Sequence, residues 1–333
     1  MKMAAPWVRV VIVNFNGGDH LARAVEGLAG QTHGDFEAVV VDNASTDGSI
    51  GRLCLPDRRF RVLPAGGNLG FAAGCNLGSR GAATPWLAML NPDAVPEPGW
   101  LEALKSATRL HAGAAMFGST QLSAENEAVL DGAGDNYSIF GLAWRGGHGA
   151  SAALVTDDIR VFSPCAAAAL YRRDAFEAEG GFAESFFCYL DDVDLGFRLR
   201  LAGHEAVQVA AARVTHVGSA IAGRQSPFTL YHSARNGVFL LLRCMPLPLL
   251  ALALPLHLAA QMFLIARLRR RALISARIRG LFDGWVPLRR LLAERRAIGL
   301  RRRLALAGVA DLLVWNPLRV TRRRIVPLGG DPG

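Results

Sequence analysis

The chain has 333 residues, of which 51% are hydrophobic and 20% charged; this is long enough to bury a sizeable core and too apolar for disorder. Its 5 cysteines are scattered and odd in number, with no CxxC pair, which argues against a secreted disulfide framework and a structural zinc site. The net charge of +9 points to a polyanionic partner, either nucleic acid, an anionic membrane or a phosphorylated substrate, until its distribution is known.

The start, MKMAAPWVRVVIVNF, has no long apolar core and no cleavage site, so it reads as a first strand rather than a signal peptide. Val8 to Val13 is a β-branched run that suits a buried parallel strand, ending at Asn14. A helix follows over His20 to Leu28, then a strand over Phe36 to Val41 ending at Asp42. Asp47 to Leu53 is predicted as a short helix, Phe60 to Leu63 as a strand, and Gly70 to Gly81 as a helix despite its glycines. A fourth strand, Trp86 to Leu90, stops at Asn91-Pro92-Asp93. Pro98 to His111 is a helix with proline in its first turn, and Ala114 to Ser119 is a fifth strand. Ser123 to Asp158 is glycine-rich and weakly patterned, and is expected to be a mobile loop region. Val161 to Arg172 reads as a strand, Asp191 to Ala202 as a helix, and Ala206 to Val209 as a strand.

Strands alternating with helices predict an α/β layered domain with a mainly parallel sheet. Ligands of such sheets bind beyond the carboxyl ends of the strands. Asn14, Asp42 and Asn91/Asp93 follow three strands directly, so the pattern converges on one crevice. Taken singly, each is equally an ordinary turn residue.

The basic charge lies at the far end. Residues 267–333 hold 17 arginines and no lysine against four acids, a charge of +13, which leaves −4 for residues 1–266. An acidic body weighs against nucleic acid as the partner. The uncharged stretch Cys244 to Ala266 would span roughly 34 Å as a helix, enough for a bilayer. Three prolines and His257 make it a poor straight span, and a single crossing would separate the +13 tail from a cytoplasmic domain, against the positive-inside rule. An interfacial or re-entrant segment is the preferred reading. Ile274, Ile278, Leu281, Phe282 and Trp285, then Leu288, Leu291 and Leu292, recur at helical spacing among arginines. That pattern describes helices in an anionic membrane surface; the alternative is helices packed on the protein's own core.

Chemistry-bearing residues cluster in LDDVDL, 190–195. Three aspartates in a first helical turn complement the helix dipole, and Asp194 has Arg198 at i+4 as an ion-pair partner. Asp191 and Asp192 are adjacent carboxylates that repel, which raises one pKa toward the range of a general base. Asp93 offers a hard oxygen for a divalent cation, and His216 a nitrogen ligand or a structural histidine. No P-loop, GxGxxG or GxSxG is present.

VVIVNFN, VVVDNASTDGS (39–49), GNLGFAAGCNLG (67–78), LNPDAVPEPGWL (90–101), FFCYLDDVDLGFRLRLAGHE (186–205), VTHVGS and YHSARN (231–236) occur in order. Together they resemble the inverting family-2 glycosyltransferases of the GT-A fold, and within them the bacterial rhamnosyltransferase-like branch. The resemblance covers roughly residues 7–240. It implies a GT-A domain over 1–240; residues 241–333 are expected, from their apolar then basic pattern, to form a helical membrane-associating region. By position it implies a nucleotide-sugar site at Asn14, Asn16, Asp42, Asn43, Asn68, Gly70, Phe71, Asn76 and Asn91. It implies a divalent cation, Mg2+ or Mn2+, at the DxD-type motif Asn91 to Asp93, although its first acid is replaced by Asn91 here; His216 stays the further metal-ligand candidate read from its own chemistry. It implies Asp192 as catalytic base with Asp191 before it, where the family usually has glutamate. The expected substrates are a nucleotide-diphosphate sugar, with the branch pointing to dTDP-rhamnose, and a glycan or lipid-linked acceptor at the cytoplasmic face of the plasma membrane. Arg235 is open between a phosphate contact and a structural ion pair. The rival readings are a nucleotidyltransferase on a similar sheet and a non-catalytic membrane-associated binding protein.

Overall fold

The computed structural model describes residues 5–218 and 226–328. In chain order the first half contains β1 (Val8–Asn14), α1 (Gly18–Ala29), β2 (Phe36–Asp42), β3 (Phe60–Pro64), α2 (Gly70–Ser79), β4 (Trp86–Leu90), β5 (Ala94–Pro96), α3 (Trp100–Leu110) and β6 (Ala114–Ser123). Then come β7 (Asn126–Gly132), β8 (Asp135–Tyr137), β9 (Ala143–Arg145), β10 (Ile159–Arg160), β11 (Ala168–Arg172), α4 (Arg173–Ala178), α5 (Asp191–Leu201) and β12 (Glu205–His216). The C-terminal helices are α6 (Pro227–Cys244), α7 (Leu247–Ala266), α8 (Arg271–Trp285), α9 (Leu288–Arg301), α10 (Leu306–Leu312) and α11 (Pro317–Thr321).

The main sheet runs β10-β12-β6-β11-β4-β1-β2-β3. β3, β2, β1 and β4 are mutually parallel, and β11 inserts antiparallel between β4 and β6. Register places Asn14 opposite Asp42 and Ile12 opposite Leu90, so the polar strand ends gather at one edge as expected. α1 and α3 cover one face, burying Leu21, Leu28, Trp100 and Leu104. α2 and α5 cover the other, around Cys75, Leu195 and Leu199. α2 tolerates its glycines because they face the sheet: a Cβ at Gly78 would overlap the Val11 and Val41 side chains. A third cluster joins α5 to α6 and the tail helices through Phe197, Phe239, Leu291, Ile298 and Val309.

Four expectations change. Residues 47–53 form turns, not a helix: Asp47 accepts from Ser49 N and Gly18 N, an alternative to helical bonding, and Gly48 is left-handed. The strand expected from Val161 is confined to Ala168–Arg172, because Pro164 has no N–H for a ladder. The strand expected over Ala206 to Val209 runs from Glu205 to His216, with a bulge between Val209 and Arg213. The region 123–158 is no loose loop. It builds β7, β8 and β9, and it buries Asp131, Asp135, Asn136 and Tyr137. Buried polar residues in very short strands carry no alternating pattern, which hid this unit.

Candidate active site

A cleft of about 930 Å³ opens at the gathered strand ends. Asn43, Asn68, Gly70, Phe71, Asn91, Asp93, Asp191, Asp192 and His216 line it, so nine of the thirteen predicted residues converge there. The other four lie beside it. Asn14 is fully buried and donates to the Ser45 and Ser49 hydroxyls; Asp42 accepts from Ser45 N at 3.0 Å. Asn16, at φ 53°, accepts from Thr46 N. These three brace the loop after β2. Asn76 clamps Phe182 through its N–H and carbonyl and contacts Glu184, so it is a strut between α2 and the segment before α5.

The aspartate pair sits at the end of an unusual segment. Phe187, Tyr189 and Leu190 all adopt positive φ just before Asp191. Such a backbone holds only where its surroundings over-determine it. Asn236 of α6 supplies that: its amide donates to the carbonyls of Phe186, Cys188 and Tyr189 at 2.8–3.0 Å. Arg235 donates to the Ser185 and Phe186 carbonyls and lies over the Tyr231 and Phe239 rings, so in this structure it is a brace. From the other side, Ala72 N bonds the Phe187 carbonyl. Gly70, at φ +82°, is needed there, since any Cβ would collide with Phe187.

Asp192 is half-buried and held fast. One oxygen accepts from Ala166 N at 3.0 Å, the other from Val193 N at 2.9 Å. Burial raises its pKa above the ordinary 3.8, against the pull of these N–H groups and of Arg145. Asp191 is fully buried, and its Oδ2 has no hydrogen-bond partner; burial and the neighbouring Asp192 push its pKa well up. The pair titrates as a unit, with Asp191 the stronger holder of the proton. Asp194 does pair with Arg198, at 2.8 Å, but the pair is buried and extended by Arg243 and Glu294. It is therefore part of the α5–α6–α9 core.

Across the cleft His216 stands between two carboxylates. Its Nδ1 is 2.7 Å from Asp131 Oδ2, its Nε2 3.3 Å from Asp93 Oδ1, and Asn91 Nδ2 lies 3.4 Å from Nε2. A histidine anchored through Nδ1 by a carboxylate presents Nε2 outward, the arrangement of metal-ligating histidines. Asp93, His216 and the Asn91 amide thus fit a divalent cation as a donor set of oxygen and imidazole. A second grouping, Asp135, Cys165 and Asp192, brings its ligand atoms within 4.8 Å of one another. Burial lifts the Cys165 thiol to about 12, so without a metal it stays protonated. Asp131, Asp135, Arg145 and Asn236 had no role in the sequence reading. They lie in the unpatterned 123–158 region or, for Asn236, beside a residue that drew attention for its charge.

The family model for Glycosyl transferase family 2 matches residues 9–180. An N-acetylglucosaminyl-diphospho-decaprenol L-rhamnosyltransferase of Mycobacterium tuberculosis is 32% identical over 238 residues, 65% of this chain and 77% of the relative. The glycosyltransferase GlyG of Streptococcus pneumoniae is 31% identical over 101 residues, covering 29% of this chain and 33% of its own. Among solved structures, the mannosyltransferase PcManGT from Pyrobaculum calidifontis, with GDP-Man and Mn2+, is similar with a TM-score of 0.52 at 17% identity, over 89% of this chain and 85% of its own. GalNAc-T7, solved with UDP, GalNAc and Mn2+, is similar at 0.63 and 14% identity, over 85% of this chain and 56% of its own.

Proposed function

Because the chain belongs to glycosyl transferase family 2 and folds as a GT-A glycosyltransferase, we propose that it moves a sugar from a nucleotide-diphosphate donor to an acceptor hydroxyl by a single inverting displacement. One observation carries this reading: Asp192 is a cleft carboxylate pinned at both oxygens by backbone N–H groups, with its pKa raised toward a base's range. In the proposed step Asp192 takes the proton of the acceptor hydroxyl as its oxygen attacks C1, while the C1–O bond to the nucleotide diphosphate breaks on the opposite face. Asp93 and His216, with Asn91, would hold a divalent cation, which supplies charge stabilisation for the departing diphosphate. Asn43, Asn68, Gly70 and Phe71 form the wall proposed for the nucleotide sugar, and Asn14, Asn16 and Asp42 shape it from behind.

The mycobacterial relative's name supports transfer of rhamnose to a lipid-linked diphosphosugar acceptor for this chain as well, and dTDP is the nucleotide proposed for the donor. The proposed location is the cytoplasmic face of the plasma membrane, with residues 241–333 as the membrane-associating region, peripheral or re-entrant. Support comes from α7, one helix long and apolar enough to cross a membrane, and from exposed apolar residues on α7, α8 and α9.

The test is turnover of a panel of nucleotide sugars by the full chain, with Mg2+ or Mn2+ and with EDTA. Asp192→Asn is expected to lower transfer by about 10²- to 10⁴-fold while donor binding persists. Comparable turnover in that variant would remove Asp192 as base, and full activity in EDTA would remove the cation.

A further inference from the structure

The cleft is short of positive charge. Asp93, Asp135, Asp191 and Asp192 line it, and among the described lining residues a single guanidinium faces them, that of Arg145. Asp93, the lining carboxyl held below its usual range by His216, would repel a phosphorylated substrate, apart from what a bound cation offsets.

Arg145 is built into place. It ends β9, and its cross-strand partner is Asp135 on β8. Its stem lies across Gly132, where a Cβ would collide with its Cγ and Cδ, so only glycine leaves the groove open. Its Nη1 pairs with Asp131. The same Asp131 holds His216, which faces Asp93. One carboxylate therefore ties the guanidinium to the residues proposed for the cation. The Arg145 side chain is 29% exposed, and its other N–H groups have no protein partner among the described residues. Burial works against its charge, but the ionised Asp131 beside it keeps it cationic.

We propose that Arg145 is a diphosphate-binding residue, offering its uncommitted N–H donors to substrate phosphate oxygens; the inference rests on the nucleotide-diphosphate reading above. A guanidinium presents a planar fork that matches two phosphate oxygens, and the contact strengthens as charge builds on the leaving diphosphate. A diphosphate reaches this cleft from two sources, the donor nucleotide and a lipid-linked acceptor.

The experiment is isothermal titration of the full chain with dTDP and UDP, with thymidine and uridine as phosphate-free controls. A second arm uses farnesyl diphosphate, with farnesol as control. Each runs in Mn2+ and again in EDTA, for wild type, Arg145→Ala and Arg145→Lys. Arg145→Ala is expected to weaken a diphosphate probe by about 10- to 100-fold and leave its phosphate-free control unchanged. The loss should persist in EDTA, where an indirect effect through Asp131 and His216 on a bound cation is absent. Arg145→Lys, which keeps the charge but not the fork, should fall between, and it stands in if the alanine variant melts without ligand. A loss in the nucleotide arm assigns the contact to the donor; a loss in the farnesyl arm assigns it to the acceptor. Wild-type diphosphate binding by a folded variant in both arms, or a loss that vanishes in EDTA, overturns the proposal. So does a wild type that binds neither probe. A wild type that binds dTDP but transfers no sugar would sink the transfer reading and leave the Arg145 result standing.

Discussion

Asp191 carries a larger cost of ionisation than its neighbour. Asp192 has two backbone donors, whereas Asp191 is buried with Oδ2 unpartnered. Its raised folded pKa means that folding favours the protonated acid. Its contribution is fully present below the unfolded value near 3.8 and is lost as pH rises through the folded value. Asn at this position stays neutral. Asp191→Asn should therefore melt close to wild type near about pH 4 and progressively above it toward about pH 8. Thermal melts across that range check this; a difference that does not grow with pH would mean that Asp191 is stabilised as the anion. The sequence showed the adjacency of the two aspartates but not their inequality. That inequality comes from Ala166 and Val193 backbone N–H groups, and Ala166 is distant in the chain.

At the scale of elements, α6 is the link between tail and site. Its Asn236 and Arg235 brace the positive-φ segment before Asp191. Its other side packs on α8 at unusually close range. A Cβ at Gly280 would fall on the Tyr231 carbonyl, and one at Gly284 would meet Val238. A backbone carbonyl yields less readily than a side chain, so Gly280→Ala is expected to cost about 1–3 kcal/mol, with reduced turnover as the α6 brace shifts. Gly299 on α9 has open space around it, and Gly299→Ala should be neutral or stabilise by about 0.5–1 kcal/mol. Equal melting temperatures for the two variants would show that α6 and α8 can part without loss. The main sheet was legible because its strands are apolar runs ended by Asn or Asp. The β7–β9 unit was not, because Asp131 is buried by its ion pairs, and Asp135 and Asn136 within a three-residue strand, rather than by hydrophobicity. Half of the site's charge arrangement, Asp131 and Arg145 above all, was hidden with it.

For the whole molecule, the charge split of −4 and +13 does not mean a detachable tail. Arg243 pairs with Asp194 of α5 and with Glu294 of α9. Arg303 N and Leu304 N bond the Leu201 carbonyl, Val314 bonds Tyr137, and the Trp144 indole donates to Arg324 O. Deleting the tail would strip the cover from α5, so membrane attachment is better tested on its surface. The surface proposed for it is on α7. His257 Nδ1 donates to the Phe140 carbonyl, Gln261 contacts His257, and Arg277 of α8 donates to Gln261, all turned inward. Met262, Phe263 and Phe282 are exposed on the outward side, 71%, 55% and 72% respectively. An apolar outer face over inward polar groups, with arginines nearby, fits the proposed membrane-associating region whether α7 lies in one leaflet or crosses it. Replacing Met262, Phe263 and Phe282 together by serine should leave melting nearly unchanged. It should weaken binding to phosphatidylglycerol vesicles by about 10²-fold or more, since each buried apolar side chain contributes about 1.5–3 kcal/mol. Binding should also fall as salt rises, because the arginines act through a screened surface potential. Release by alkaline carbonate separates the two geometries: an in-plane helix comes off, and a spanning one stays. A wild type that floats free of the vesicles would end the membrane reading, and one that resists carbonate would put α7 across the bilayer.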